Sequence, residues 1–208
     1  QGMYRSNFAL LGIALTETLY GSGETEITGM LVAVIIPLYN VLAVILFEST
    51  CQYRKADLGK IVKGIIKNPL ILWTCIGLVF NLLHISIPVA VNSAVVSLGQ
   101  VATPLALFVL GGNFEAAKAI RNRKPLIAVS MTRLIIVPVL CTAISVALGF
   151  RGKSLYALFL MYATPTAVAS YAMASSMGGE EELAGEIVLV TTAVSMVSIG
   201  LGVYVLTV

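Results

Sequence analysis

The chain has 208 residues, of which 58% are hydrophobic and only 11% charged, and its mean hydropathy is +0.96. A soluble domain is about a quarter charged, so this composition excludes an ordinary soluble fold and identifies an all-α integral membrane protein. The loops are short. They leave no room for a soluble domain or a nucleotide-binding loop, and no GxxxxGK[ST] motif occurs.

Crossing the roughly 30 Å hydrocarbon layer takes about 20 mostly apolar residues. On that measure residues 3–20 form a broken span, and full spans follow at 27–47, 69–87, 92–111, 125–149, 154–177 and 183–207. Within 57–67, Leu58, Ile61, Val62, Ile65 and Ile66 recur at helical spacing opposite Lys60, Lys63 and Lys67, which predicts a basic amphipathic helix in the headgroup region. Asn68-Pro69 then supplies an N-cap and a first-turn proline, so a new helix is expected there. Arg54, Lys55, Lys60, Lys63 and Lys67 share one loop, and Lys118, Arg121, Arg123 and Lys124 another, two spans later. The opposite loops hold only Arg151 and Lys153, so the basic face is expected to be cytoplasmic and the C-terminus outside.

Two interrupted apolar stretches echo each other. Slid by 158 positions, Met3, Tyr4, Ala9, Ala14, Gly21 and Glu24 coincide with Met161, Tyr162, Ala167, Ala172, Gly179 and Glu182. Going from the first stretch to the second advances five spans, and an odd number reverses direction across the membrane, as an inverted repeat requires. The repeat unit is therefore five helices, with the broken helix fourth. On this reading 1–50 holds the last two helices of a first repeat, 51–68 is a cytoplasmic basic loop with an interfacial helix, and 69–208 is a complete second repeat. Three helices of the first repeat are expected upstream of Gln1.

Enzymatic chemistry finds no support, since there is one histidine and neither an HExxH nor a GxSxG motif. Cys75 and Cys141 lie in spans and Cys51 in a basic loop, a pattern that suggests neither a disulfide framework nor a metal site. No cofactor, metal or nucleic acid is implied.

Five motifs in order, Tyr4-Arg5-Ser6-Asn7-Phe8-Ala9-Leu10-Leu11-Gly12-Ile13, Ile36-Pro37-Leu38-Tyr39-Asn40-Val41, Lys67-Asn68-Pro69-Leu70, Gln100-Val101-Ala102-Thr103-Pro104-Leu105 leading to Gly111-Gly112, and Ala163-Thr164-Pro165-Thr166-Ala167, resemble the auxin efflux carrier family. That family includes plant PIN-type carriers and bacterial permeases annotated for malonate and malate. The resemblance implies a ten-helix fold of inverted five-helix repeats, with two broken helices crossing at the substrate site. It also implies secondary transport of a small organic carboxylate anion by alternating access. The expected setting is the cell membrane, with lipid and a coupling proton or sodium ion as partners; homodimerisation is left open. Two other readings stay open: a sodium-coupled organic anion symporter of related fold, and a nontransporting fragment or subunit of a carrier. The chain departs from the family pattern at Ile13-Ala14, where a proline is expected, so the first break must rest on Asn7, Gly12 and packing.

A helix broken in mid-membrane turns unpaired N–H groups and a positive dipole end toward the gap, which suits a carboxylate. Pro165 favours such a break, with Thr164, Thr166 and Ser170 supplying hydroxyls and Asn7 a donor and acceptor from the opposing segment. The plainer alternative is that Pro165 is a kink and Asn7 a helix cap. Arg133 is deep enough in its span to be costly; it pairs with the substrate anion or a carboxylate, or it snorkels. Asn92, Gln100 and Thr103 share one helix side and could line the path, with Gln100 preferred because Thr103-Pro104 follows and would loosen the helix. Glu17 is read as solvated near the outer turn rather than carrying a coupling proton, and His84 as interfacial.

Overall fold

The computed structural model describes residues 1–21, 25–50, 66 and 68–207. The expected interfacial helix 57–67, Cys51 and most of the basic loop 51–68 lie outside the described residues. Among those described, every regular element is helical. In chain order these are α1 (Phe8–Tyr20), α2 (Glu26–Thr50), α3 (Pro69–Leu82), α4 (Val89–Gly112), α5 (Ala116–Arg121), α6 (Arg123–Ala147), α7 (Gly152–Ala163), α8 (Ala169–Ser176) and α9 (Glu181–Thr207). Four of them, α2, α4, α6 and α9, are long and apolar enough to cross a membrane.

Local chemistry sets most helix ends. Asn68 caps α3 as expected: its Oδ1 accepts from the Ile71 N–H at 3.3 Å, and Pro69 occupies the first turn, where no N–H is missed. The span expected to reach residue 87 stops at Leu82, because the chain turns through His84, whose φ of 49° no helix tolerates, and Pro88 then fixes the approach to α4. Gly149 takes φ 91° after α6, where its N–H and that of Phe150 reach back to the Val146 and Ser145 carbonyls. Pro37 and Pro104 sit inside α2 and α4 without breaking them, and the helix expected to loosen at Thr103-Pro104 runs on to Gly112.

The expected span 154–177 is two half-helices, α7 and α8, separated by Thr164–Val168. Phe8–Tyr20 is likewise too short to be a full span, and residues 1–7 before it are turn and extended chain. Two apolar clusters lie between these pieces and the long helices. One gathers Phe8, Phe159, Leu160, Met161, Ala163 and Ile199. The other gathers Ala43, Val44, Phe47, Met173 and Ala174. Close approach in them requires glycine three times: a Cβ at Gly12 would run into the Phe8 ring, one at Gly202 into the Phe159 ring and one at Gly179 into the Phe47 ring. α4 packs on α9, with Leu110 against Gly185, and exposes most of its remaining surface.

Candidate functional site: the crossing of two interrupted segments

The residue before a proline is driven out of helical geometry, and Thr164, at φ −64° and ψ 147°, is extended accordingly. Extended backbone exposes a donor and an acceptor on each side, and in a buried setting both must be paired. A second extended segment does that. Ser6 and Thr166 form an antiparallel bridge in which the Asn7 N–H donates to the Pro165 carbonyl at 2.8 Å and the Ala167 N–H to the Arg5 carbonyl at 3.0 Å. The two echoing stretches thus cross, as expected, and they run antiparallel. The bridge is centred on residues 160 apart in sequence, Ser6 and Thr166, rather than the 158 of the sequence echo.

Side chains complete the joint. The Thr166 hydroxyl donates to the Gly2 carbonyl at 2.8 Å, and its N–H to the Thr191 hydroxyl of α9 at 3.2 Å. Ser6 Oγ lies 3.4 Å from the Tyr39 hydroxyl of α2, and the Tyr4 and Tyr39 rings meet at a tilt of 57° with their centroids 5.8 Å apart. Arg5, Ser6, Asn7, Thr164, Thr166 and Ser170 are all buried.

Both half-helices that leave the crossing present their N-termini to it. Asn7 stands at the N-cap position of α1 and Val168 at that of α8, and neither makes a side-chain cap hydrogen bond. Asn7 thus occupies the cap position without a side-chain cap bond, and both helix dipoles turn their positive ends toward the crossing, although at α8 the Ser170 and Tyr171 N–H groups are taken by the Ala167 and Val168 carbonyls. Gly12 is different from expectation. It lies inside α1, in the π-helical turn Phe8–Gly12 and one turn beyond the break, where the Phe8 ring covers it. The break sits at Ser6-Asn7, so the role of Gly12 is to let Phe8 pack.

Arg133 neither snorkels nor pairs with a carboxylate. It is 1% exposed, in a π-helical turn (Thr132–Ile136) of α6. Its Nε donates to the Thr164 carbonyl at 3.0 Å, and one terminal nitrogen to the same carbonyl at 2.6 Å and to that of Met161 at 3.3 Å. A cation here satisfies the last carbonyls of α7 and opposes the negative end of its dipole.

Arg5 is the residue that sequence reasoning passed over, although a charge inside an apolar segment was signal enough. It is 5% exposed; its two terminal nitrogens donate to Asn40 Oδ1 at 2.6 Å and to the Met173 sulfur at 2.7 Å. Asn40 and Thr191 also carry the joint and were not singled out, because their partners come from other helices. Among the described residues the ion pairs join Lys118 to Glu115 and Glu182 and Arg121 to Glu182, so neither buried arginine has a carboxylate partner. Gln100 is exposed on α4 and Thr103 half-buried there, and the structure does not bring them to the crossing. Asn92 and His84 are exposed as well, and Glu17 is exposed on α1.

At the far end, beyond α4, Lys118 of α5 lies 2.6 Å from Glu182 and 2.9 Å from Glu115, and these partners, Glu182 foremost, hold its ammonium above the usual lysine range. The model of the family described as "Membrane transport protein" matches residues 3–202. The chain belongs to that family. It is the auxin efflux carrier family that the motifs resemble, and the match covers both interrupted segments and every helix from α1 to most of α9. No curated protein and no solved structure matches the chain. The membrane transport family, four membrane-capable helices and a buried crossing together make the molecule a membrane transport protein.

Proposed function

We propose that the protein is a secondary transporter of small organic carboxylate anions, working by alternating access with the crossing as its binding site. One observation carries this reading: two half-helix N-termini without a side-chain cap converge on a buried point that holds a guanidinium with no carboxylate partner among the described residues. Positive potential without a built-in counterion suits a mobile anion. Asn7 contributes donor and acceptor from one side, and Thr164, Thr166, Ser170 and the backbone at Pro165 contribute from the other; the Thr164 and Ser170 hydroxyls are buried without a partner. Arg133 acts at this site by holding the Thr164 carbonyl. Residues 1–50 and 69–208 are read as parts of two inverted repeats, the antiparallel bridge between them supporting that arrangement. The face bearing Lys118 and Arg121 is read as cytoplasmic, in the cell membrane. A proton or sodium gradient drives the movement.

The test is uptake of labelled malonate, malate and aromatic acids into proteoliposomes, with proton or sodium gradients imposed in turn. Asn7→Ala removes one hydrogen bond to a charged ligand, so affinity should fall about ten- to a hundredfold. Thr207→Ala, at the end of α9, should change nothing. A parent that moves no carboxylate would refute the function, and an unaffected Asn7→Ala carrier would remove Asn7 from the site.

A further inference from the structure

The two buried arginines differ in how completely they are occupied. Arg133 places three hydrogen bonds on two main-chain carbonyls, which are good acceptors. Arg5 has five N–H donors, and its described side-chain partners are one amide oxygen and one thioether sulfur, the latter a weak acceptor. Both are neutral. With Gln1 turned so that its amide satisfies both neighbours, its oxygen lies 3.3 Å from Arg5 and its nitrogen 3.3 Å from the Ser170 carbonyl, which adds another neutral contact.

Beside this cluster lies a cavity of about 130 Å³ whose wall includes Gln1, Gly2, Thr166, Ser170 and the carboxylate-bearing Glu180; Arg5 is not itself in the wall, but Gln1, which contacts it, is. At about 30 Å³ per water in the liquid, the cavity has room for a carboxylate on a short chain. Three buried oxygens of the crossing segments have no hydrogen-bond partner among the described residues: the hydroxyls of Tyr4, Thr164 and Ser170. Ser170 also lines the cavity. A guanidinium that is 95% removed from solvent and has only neutral partners among the described residues is costly in a membrane, and an anion alongside it offsets that cost.

We propose that Arg5 is the charge-recognising residue of the site, binding one carboxylate of the ligand next to Ser170, whereas Arg133 fixes the break and makes no ligand contact. This rests on the carboxylate reading above. Arg5 reaches its present partners through terminal nitrogens, and Met173 gives up its contact as the carboxylate takes its place. The specificity is for the ionised acid: a neutral amide of the same shape leaves the guanidinium as it was.

Binding to the purified full chain tests this without requiring transport. The probes are malonate, acetate and the uncharged malonamide at matched ionic strength, read by the ligand-induced rise in thermal midpoint. The parent should bind malonate and acetate in preference to malonamide. Arg5→Gln should weaken malonate about ten- to a hundredfold while leaving malonamide unchanged, and Arg5→Lys, which keeps the charge and loses the fork, should fall between. Arg121→Gln, at the surface, should match the parent. If Arg5→Gln, or Arg5→Lys should the former not fold, bound malonate as tightly as the parent, the role of Arg5 would be overturned and the carboxylate reading would stand. If the parent bound neither carboxylate, that reading would fall and Arg5 with it.

Discussion

The two breaks reach the same geometry by different routes. At 164–168 the interruption is written locally: Pro165 forces Thr164 into extended backbone, and the freed carbonyls of α7 are taken up by Arg133. At 5–7 no proline is present. That segment is held from outside, by the bridge to Pro165 and Ala167, by Asn40 on Arg5 and by Phe8 packing over Gly12. A break of the first kind is a property of a short sequence, whereas one of the second kind exists only when other helices are in place.

The largest effect that separates the two should come from Arg133→Ala. It strips the Thr164 and Met161 carbonyls of their charged donor and leaves a void where a fully buried side chain stood, a loss of about 3 kcal/mol or more. Thermal unfolding in detergent should show a midpoint lowered by several degrees. Amide exchange should rise at 161–168 while 8–20 stays protected; equal exposure of both segments would mean that the breaks are not independent. A smaller effect is expected on the other side. Gly12→Val drives its branched side chain into the Phe8 ring, an overpacking cost of about 1–3 kcal/mol, with exchange rising first at 5–12. An unchanged midpoint would show that Phe8 can swing away and that packing does not hold the first break.

The smallest effect belongs to neither break. Lys118→Ala removes exposed ion pairs to Glu182 and Glu115, and such pairs contribute little, so its midpoint at neutral pH should match the parent. Because those carboxylates raise the folded-state affinity of Lys118 for its proton, its contribution is present at neutral pH and disappears as pH rises through the raised value. Any difference between Lys118→Ala and parent should therefore shrink in strongly alkaline buffer. A difference that grew there would reverse the sign.

Much of this was legible without coordinates, in proportion to how local its cause is. Composition gave the membrane class, Asn68-Pro69 the start of α3, and Thr164-Pro165 the second break, each resting on a few neighbouring residues. The first break was rested on Asn7, Gly12 and packing; Asn7 stands at it, but Gly12 lies a turn beyond, because glycine and asparagine are permissive without being decisive and the deciding contacts are long-range. Arg133 could be seen as costly, yet its acceptors belong to a helix end that only the break creates. Arg5 was hidden inside a motif read for its resemblance. Gln100 and Thr103 shared a helix side in the sequence, but which way that side faces is a matter of packing, and on α4 Gln100 is exposed.

The bridge between Ser6 and Thr166 is a single antiparallel pair with two hydrogen bonds, one on either side of its centre. A sheet with many rungs resists shear, bending and rotation together. One rung by itself resists mainly separation, so the angle between the two segments is held by the bonds beside it, from Thr166 to Gly2 and from Arg5 to Met173. The joint is mechanically a braced pin: the rung sets the distance, and the side chains around it set the angle.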